Sequence, residues 1–154
     1  MKREISKRTR RIGVIINYAS LVLFIIVFYA GEYRGWDAPT IIGGIIALVV
    51  AFLSFIYLYV KTHLWKFVHT SIEKLDERQV HVIHDSLRYS YSIFSILSLS
   101  YILVLTLTAR FSINTLTTSG KASLGMIMLG GLIYLAHTLP ASIIAWNERE
   151  VFLD

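Results

Sequence analysis

One histidine stands out among the residues able to do chemistry, because it lies inside a long apolar run near the end of the chain. His137 is followed by Pro140, which cannot donate a hydrogen bond to the carbonyl of Ala136. Ionisable groups at such depth often mark transport paths. His137, Pro140 and Asn17, an amide in the first apolar run, therefore form a hypothetical proton or ion pathway. The alternatives are a neutral packing histidine held by one hydrogen bond, and for Asn17 either an interhelical bond or a snorkelling position.

A second group of titratable side chains lies in the middle of the sequence. Its members are His63, His69, Glu73, Glu77, His81, His84 and Asp85. If this segment folds back on itself near residue 76, His69 approaches His84 across the turn. Together with His81 and Glu77, this pair gives a hypothetical metal site of nitrogen and oxygen ligands. A solvated, salt-bridged surface and a pH-responsive element are the alternatives.

The sequence contains no set of residues typical of an enzyme. It has no Gly-rich phosphate loop, no Ser/His/Asp order in a suitable context and no paired carboxylates inside an apolar run. The absence of cysteine also excludes disulfides and thiolate sites. We therefore predict a non-catalytic protein without a cofactor.

Four apolar runs must position these residues. They cover residues 12–30, 40–60, 89–109 and 122–147 and lack Asp, Glu, Lys and Arg, although 16% of the chain is charged. About 20 apolar residues in a helix cross the hydrocarbon core of a bilayer, which is about 30 Å thick. The runs predict an all-α integral membrane four-helix bundle, with residues 1–154 as a single membrane domain.

The basic residues are distributed unevenly between the connections. Most of them lie in the tail 1–11 and in the middle segment 61–88, whereas the opposite connections hold only Arg34, Arg110 and Lys121. The positive-inside rule then predicts a multi-pass protein of the cytoplasmic membrane with both termini in the cytoplasm. Topology accounts for the net charge of +5, so nucleic-acid binding is not expected. The basic tail is expected to attract anionic lipid headgroups.

The middle segment has a helical pattern of its own. An apolar stripe continues beyond the second span, through residues Leu64, Val68, Ile72 and Leu75. Asp76 has the position of a helix N-cap, with Gln79 as its capping-box partner, ahead of a matching stripe that enters the third span. The pattern predicts that helices 2 and 3 extend into a cytoplasmic helical hairpin over residues 61–88, with a tight turn near Leu75 and Asp76.

Small residues and aromatic residues predict how the spans pack. Gly43, Ala47 and Ala51 are four residues apart, and Gly130 and Gly131 lie in the last span, so both spans offer close-packing faces. Intramolecular packing is the first interpretation, and the seam of a homo-oligomer is the second. Two interfacial aromatic belts are also predicted, one of Tyr29, Tyr33 and Trp36 and the other of Tyr57, Tyr59, Trp65, Tyr89 and Trp146.

One short motif resembles a known group of proteins. The run Leu75-Asp76-Glu77-Arg78-Gln79 is followed by Arg88-Tyr89-Ser90-Tyr91 and an apolar span. This arrangement resembles small prokaryotic multi-pass membrane proteins of unknown function that carry an Asp-Glu-Arg-Gln or Asp-Glu-Arg-Glu motif before a transmembrane span. The resemblance implies a bacterial or archaeal cytoplasmic membrane protein that acts beside a regulator and has no catalytic residues.

Taken together, these patterns predict an accessory or regulatory membrane protein. Its hairpin is expected to contact a partner, and its small-residue faces are expected to support association with a membrane protein or with further copies of the chain. Two other hypotheses stay open, an oligomeric channel or transporter that uses His137 near the Pro140 bend and a metal-responsive or pH-responsive hairpin.

Overall fold

Every regular element in the described part of the chain is helical. The computed structural model describes residues 6–110 and 118–147. In chain order it contains α1 (Lys7–Arg34), α2 (Ala38–Phe55), a π-helical turn (Ile56–Val60), α3 (Leu64–Val68), a 3-10 turn (Ile72–Lys74), α4 (Glu77–Arg110) and α5 (Thr118–Asn147). Four described stretches are long and apolar enough to cross a membrane, namely Lys7–Arg34, Ala38–Val60, Glu77–Leu107 and Gly125–Asn147. The predicted all-α class with four candidate spans is confirmed.

Local capping interactions set the ends of the first two helices. The Ser6 hydroxyl accepts a hydrogen bond from the Thr9 amide at 3.3 Å, and the Asp37 carboxylate accepts one from the Thr40 amide at 3.0 Å. Hydrogen bonds from the side chain and backbone of Thr40 lower the pKa of the Asp37 carboxyl. Gly35, with φ of 101°, ends α1 in a conformation that side chains disfavour. The short connection makes α1 and α2 antiparallel neighbours.

The spatial order of the long helices differs from their order in the chain. α1 packs against both α2 and α5, and α5 packs against α4 on another side. The short helix α3 rests on α5 and on the π-helical turn. In the most apolar stretch of each span, 33% of residues are buried in α5 but only 6% in α4. α5 is therefore the central helix of the described bundle, and α4 is its most peripheral one.

The buried apolar core lies at the end of the bundle where α3 packs. Its members are Val14, Leu58, Tyr59, Leu64, Phe67, Ile83, Ala141, Ile144 and Ala145. Three of these residues come from α5, and Ile83 comes from the start of α4. The outward-facing apolar side chains of α2 and α4 are exposed, as expected where lipid would surround them.

The first half of the predicted hairpin is not a continuous helix. The Lys61 amide bonds to the Ile56 carbonyl at 2.9 Å, a five-residue spacing that widens the last turn. The Thr62 hydroxyl then donates to the Leu58 carbonyl, and His63 adopts a left-handed conformation with φ of 59°. A helix cannot pass through such a residue, so the chain turns and α3 folds back onto α5.

The second half of the prediction agrees with the structure, because α4 begins at Glu77, well before the uncharged run that starts at residue 89. The Gln79 amide donates to the Asp76 carboxylate at 2.7 Å, and the Asp76 amide donates to the Gln79 side chain at 3.2 Å. This reciprocal pair is the predicted capping box. The 34 residues of α4 extend over about 51 Å, well beyond the hydrocarbon thickness of about 30 Å.

Candidate functional site

The most organised polar site is a network between α1, α2 with its π-helical turn, and α5. We call it the polar network; its members are Asn17, Tyr18, Ser54, Tyr59, Tyr134, Thr138 and Ser142. All of them lie within candidate membrane spans. A buried polar group in such a region needs a protein partner, because lipid offers none.

Ser142 is the point where three helical segments meet. Its hydroxyl lies 2.6 Å from the Tyr59 hydroxyl and 2.7 Å from the Tyr18 hydroxyl, and it donates to the Thr138 carbonyl at 2.9 Å. Because the single proton of Ser142 is used on Thr138, both tyrosines must donate to its oxygen. One serine oxygen thus joins α1, the π-helical turn and α5.

Asn17 forms the second centre of the polar network. Its side-chain nitrogen donates to the Ala51 carbonyl at 3.1 Å and to the Ser54 hydroxyl at 2.9 Å. Its oxygen accepts a hydrogen bond from the Tyr134 hydroxyl at 2.8 Å. Both amide protons and the amide oxygen are therefore paired, and Asn17 is fully buried. The interhelical bond expected as one alternative for this residue is present.

The chemistry of the polar network is that of helix assembly. None of its members is a carboxylate, a histidine, a lysine or an arginine, so it offers no group that exchanges protons easily near neutral pH. Its hydroxyl and amide groups join helices by directed hydrogen bonds, which fix rotation and register as apolar packing alone does not.

The residues of the predicted ion pathway lie in different environments. His137 is exposed on α5, its Nδ1 bonds to the Ile133 carbonyl at 2.9 Å, and its ring lies parallel to Trp65 with centroids 6.4 Å apart. Pro140 is buried within α5, and Asn17 belongs to the polar network. The structure therefore does not join the exposed imidazole to the buried amide by a direct contact.

Three of the four predicted metal ligands, Glu77, His81 and His84, line one open surface pocket at the start of α4, and His69 is not among the lining residues. His69 bonds through Nδ1 to the Trp65 carbonyl at 2.8 Å, and His81 pairs with Asp85 at 3.3 Å. Glu77 and His84 are exposed near the start of α4. Among the described residues, no group of three or more His, Asp or Glu side chains is arranged to hold a metal ion.

The small residues predicted to pack have different surroundings. In α2, Ala47 is buried, and a Cβ placed on Gly43 would meet Val27 of α1 at 3.9 Å. Ala51 gives its carbonyl to Asn17. In α5, Gly131 faces Ile25 of α1 at 3.9 Å, whereas Gly130 is exposed and faces open space among the described atoms.

The start of α1 and the end of α5 meet in a polar contact. We call it the terminal contact: the Lys7 ammonium donates to the Asn147 carbonyl at 2.6 Å, and Arg11 Nε donates to the Trp146 carbonyl at 3.0 Å. The Arg11 guanidinium also lies 4.9 Å from the centre of the Trp146 ring. These cations bind the negative end of the α5 dipole. Residues 1–5 of the predicted lipid-binding tail lie outside the described residues.

Sequence reasoning found only Asn17 of the polar network, because it assigned Tyr59 to an interfacial belt and did not single out Tyr18 or Tyr134. Tyr59 was expected at the membrane surface, but it is 0% exposed and bonds to Ser142. This prediction was wrong, because the π-helical turn rotates Tyr59 into the bundle. Tyr18 and Ser142 belong to no recognisable sequence motif, and only their position deep in the spans could have indicated a structural role.

Comparison with known proteins adds no relationship, since no protein-family model, curated protein or solved structure matches this chain.

Proposed function

We propose that this chain is a non-catalytic accessory or regulatory protein of the cytoplasmic membrane that binds a partner membrane protein along α4. The observation that carries the proposal is the small contribution of α4 to the bundle. It is the longest helix described, yet only 6% of its most apolar stretch is buried and its extensive contacts are with α5 alone. A helix so placed presents most of its surface to a neighbour.

The composition of α4 favours a helix over lipid as that neighbour. Ser92 and Thr106 are exposed and bond only to carbonyls of their own helix, at 3.2 Å and 2.8 Å. Ser100 is also exposed. The Ser98 hydroxyl is buried and has no hydrogen-bond partner among the described atoms. Serine and threonine allow close approach and interhelical hydrogen bonds in membranes, so they are typical of helix contacts.

The first turns of α4 extend the same surface beyond the bilayer. Glu77, Arg78, His81, His84 and Arg88 are exposed there. Charged groups are costly in hydrocarbon, and α4 is about 20 Å longer than the hydrocarbon core, so we infer that this end lies in the cytoplasm. It takes the place of the predicted hairpin as the cytoplasmic contact region.

The proposed orientation of the chain in the membrane, with both termini in the cytoplasm, is supported by the distribution of charge and by the terminal contact. Lys7 and Asn147 touch, so the two described ends lie on one side of the bundle. The basic residues of that side favour the cytoplasm, where a tag on either terminus should be protected in intact cells. The tail 1–11 would also meet anionic lipid headgroups there.

Ion conduction through His137 has weaker support. Its ring is exposed and stacked near Trp65, whereas Asn17 has its amide fully paired inside the bundle. If the protein nevertheless conducts, proton flux into liposomes should fall on substitution His137→Ala. Under our proposal, the wild-type protein and the variant give the same background flux.

Crosslinking in native membranes tests the partner surface. A photoreactive amino acid is placed at Leu99 of α4, which is 68% exposed, and in a matched variant at Leu53 of α2, which is 59% exposed. Leu99 should give a defined protein adduct, while Leu53 should give mainly lipid adducts. An adduct of twice the 17.6 kDa chain mass would identify a second copy, and any other mass a different protein. Lipid adducts alone at both positions would refute the proposal.

A further inference from the structure

The segment between the π-helical turn and α4 carries a concentration of exposed cations. Lys61, Lys66 and Lys74 are all exposed, and the acidic residues nearby, Glu73, Asp76 and Glu77, are confined to the end of the segment and the start of α4. The ion pair between His81 and Asp85 lies on α4 and does not involve these lysines. They form a positive surface next to a candidate span that ends at Val60.

The segment is held firmly against the bundle. Leu64 and Phe67 are buried in the core, which fixes α3 and leaves Lys66 on its outer side. The Lys61 ammonium lies 5.3 Å from the centre of the Tyr57 ring, a cation–π contact at the end of the span. Trp65 packs edge-to-face on Phe55 at 5.7 Å. Tryptophan beside lysine is a common arrangement at the headgroup level of a bilayer.

An exposed apolar side chain gives a second, independent indication of the partner. Ile72 is 71% exposed in the 3-10 turn, between the buried part of α3 and the start of α4. Facing water, this side chain would be unfavourable. At a bilayer surface it would enter the boundary between headgroups and acyl chains, while the lysines contact the phosphates.

The basic residues of α1 are used differently. Lys7 and Arg11 bind the terminal carbonyls of α5, so their donors are partly occupied within the protein. We propose that Lys61, Lys66 and Lys74, with Ile72 as an apolar anchor, form a surface that binds anionic phospholipid headgroups in preference to zwitterionic ones. This lipid surface is distinct from the partner surface of α4, and each can fail without the other.

Tryptophan quenching by brominated lipids tests the preference. The variant with Trp36→Phe and Trp146→Phe retains Trp65 as its only tryptophan. The control variant, with Trp65→Phe and Trp146→Phe, retains Trp36 at the other end, beside Arg34 and the acidic Glu32 and Asp37. In phosphatidylcholine bilayers, brominated phosphatidylglycerol should quench Trp65 with an apparent affinity about fivefold higher than that of brominated phosphatidylcholine. Trp36 should show no preference.

Lysine substitution and salt titration test whether the three lysines cause the preference for anionic lipid near Trp65. Lys61→Gln, Lys66→Gln and Lys74→Gln together should abolish the Trp65 preference, whereas Arg8→Gln, an exposed control in α1, should retain it. Should the triple variant fail to fold, salt titration of the single-Trp65 protein should reduce the preference as ionic strength rises. Equal quenching by both lipids at low salt, or a preference that survives the triple substitution, would overturn the proposal.

Discussion

At the scale of single residues, Ser142 has the greatest leverage on the structure. Its oxygen accepts from Tyr18 and Tyr59, and its proton is committed to the Thr138 carbonyl. Tyr18 has a second hydroxyl nearby, Thr138 Oγ1 at 3.2 Å. The Tyr59 hydroxyl makes the shorter of the two tyrosine contacts with Ser142, at 2.6 Å, so loss of Ser142 should weaken the pairing of this buried group. A buried donor without an acceptor costs more than the net gain of the hydrogen bond it has lost.

The substitution Ser142→Ala should therefore lower the free energy of unfolding by about 1–2 kcal/mol. Denaturation with sodium dodecyl sulfate in mixed micelles measures the change. Tyr59→Phe should cost less in the Ser142→Ala background than in the wild type, because the two groups share one hydrogen bond. As a matched control, Ser92→Ala removes an exposed hydroxyl that bonds only to its own helix, and should change stability by less than about 0.5 kcal/mol. Additive effects of Ser142 and Tyr59 would contradict this account.

At the scale of elements, the connection from α2 to α4 decides which residues enter the core. The π-helical turn and the left-handed His63 rotate the chain, so that Leu58, Tyr59 and Leu64 are all buried. If α2 continued as a straight helix, the apolar stripe beyond residue 60 would extend away from the bundle and be exposed to solvent. The chain instead covers the end of the bundle with α3.

His63 should be a strained position, since an L-residue in the left-handed region costs about 1–2 kcal/mol. His63→Gly is expected to raise the free energy of unfolding by about 1 kcal/mol, and His63→Val to lower it by about 1–2 kcal/mol, because a β-branched residue fits the region least well. Equilibrium unfolding of the three proteins gives the order directly. The His63 side chain is exposed, so little packing is lost in either variant. A glycine variant less stable than the wild type would show that the backbone is not strained there.

Element positions were predictable where one local cause dominates. The four apolar runs predict the four candidate spans, because burial in lipid requires long uncharged helices. The pair Asp76 and Gln79 predicts the start of α4, because its hydrogen bonds are local. The break at His63 was not predictable, since neither glycine nor proline marks it. It arises from the tertiary packing of Leu64 and Phe67, and the same packing directs Tyr59 inward.

At the scale of the whole molecule, the terminal contact joins the first helix to the last. α1 lies between α2 and α5, and its Lys7 and Arg11 bind the carbonyls of Asn147 and Trp146. The positive charge that predicts membrane orientation thus also caps a helix. Sequence spacing does not reveal this use, because the contact links residues at opposite ends of the chain.

The double substitution Lys7→Gln and Arg11→Gln should loosen the last turn of α5. Each cation at a helix carboxyl end contributes about 0.3–1 kcal/mol, so exchange of the amide hydrogens in residues 143–147 should accelerate about twofold to fivefold per cation removed. Hydrogen–deuterium exchange with mass spectrometry in nanodiscs measures this rate. Arg8→Gln removes the same charge from an exposed neighbour and should leave these amides unchanged. Lys7→Gln and Arg11→Gln are also measured singly, so that each can be compared with Arg8→Gln. If Arg8→Gln accelerates exchange as much as either of them, net charge and not the two carbonyl bonds protects the end of α5. Protection of the centre of α5 should persist in all variants, because Asn17 and Ser142 hold that region through separate bonds.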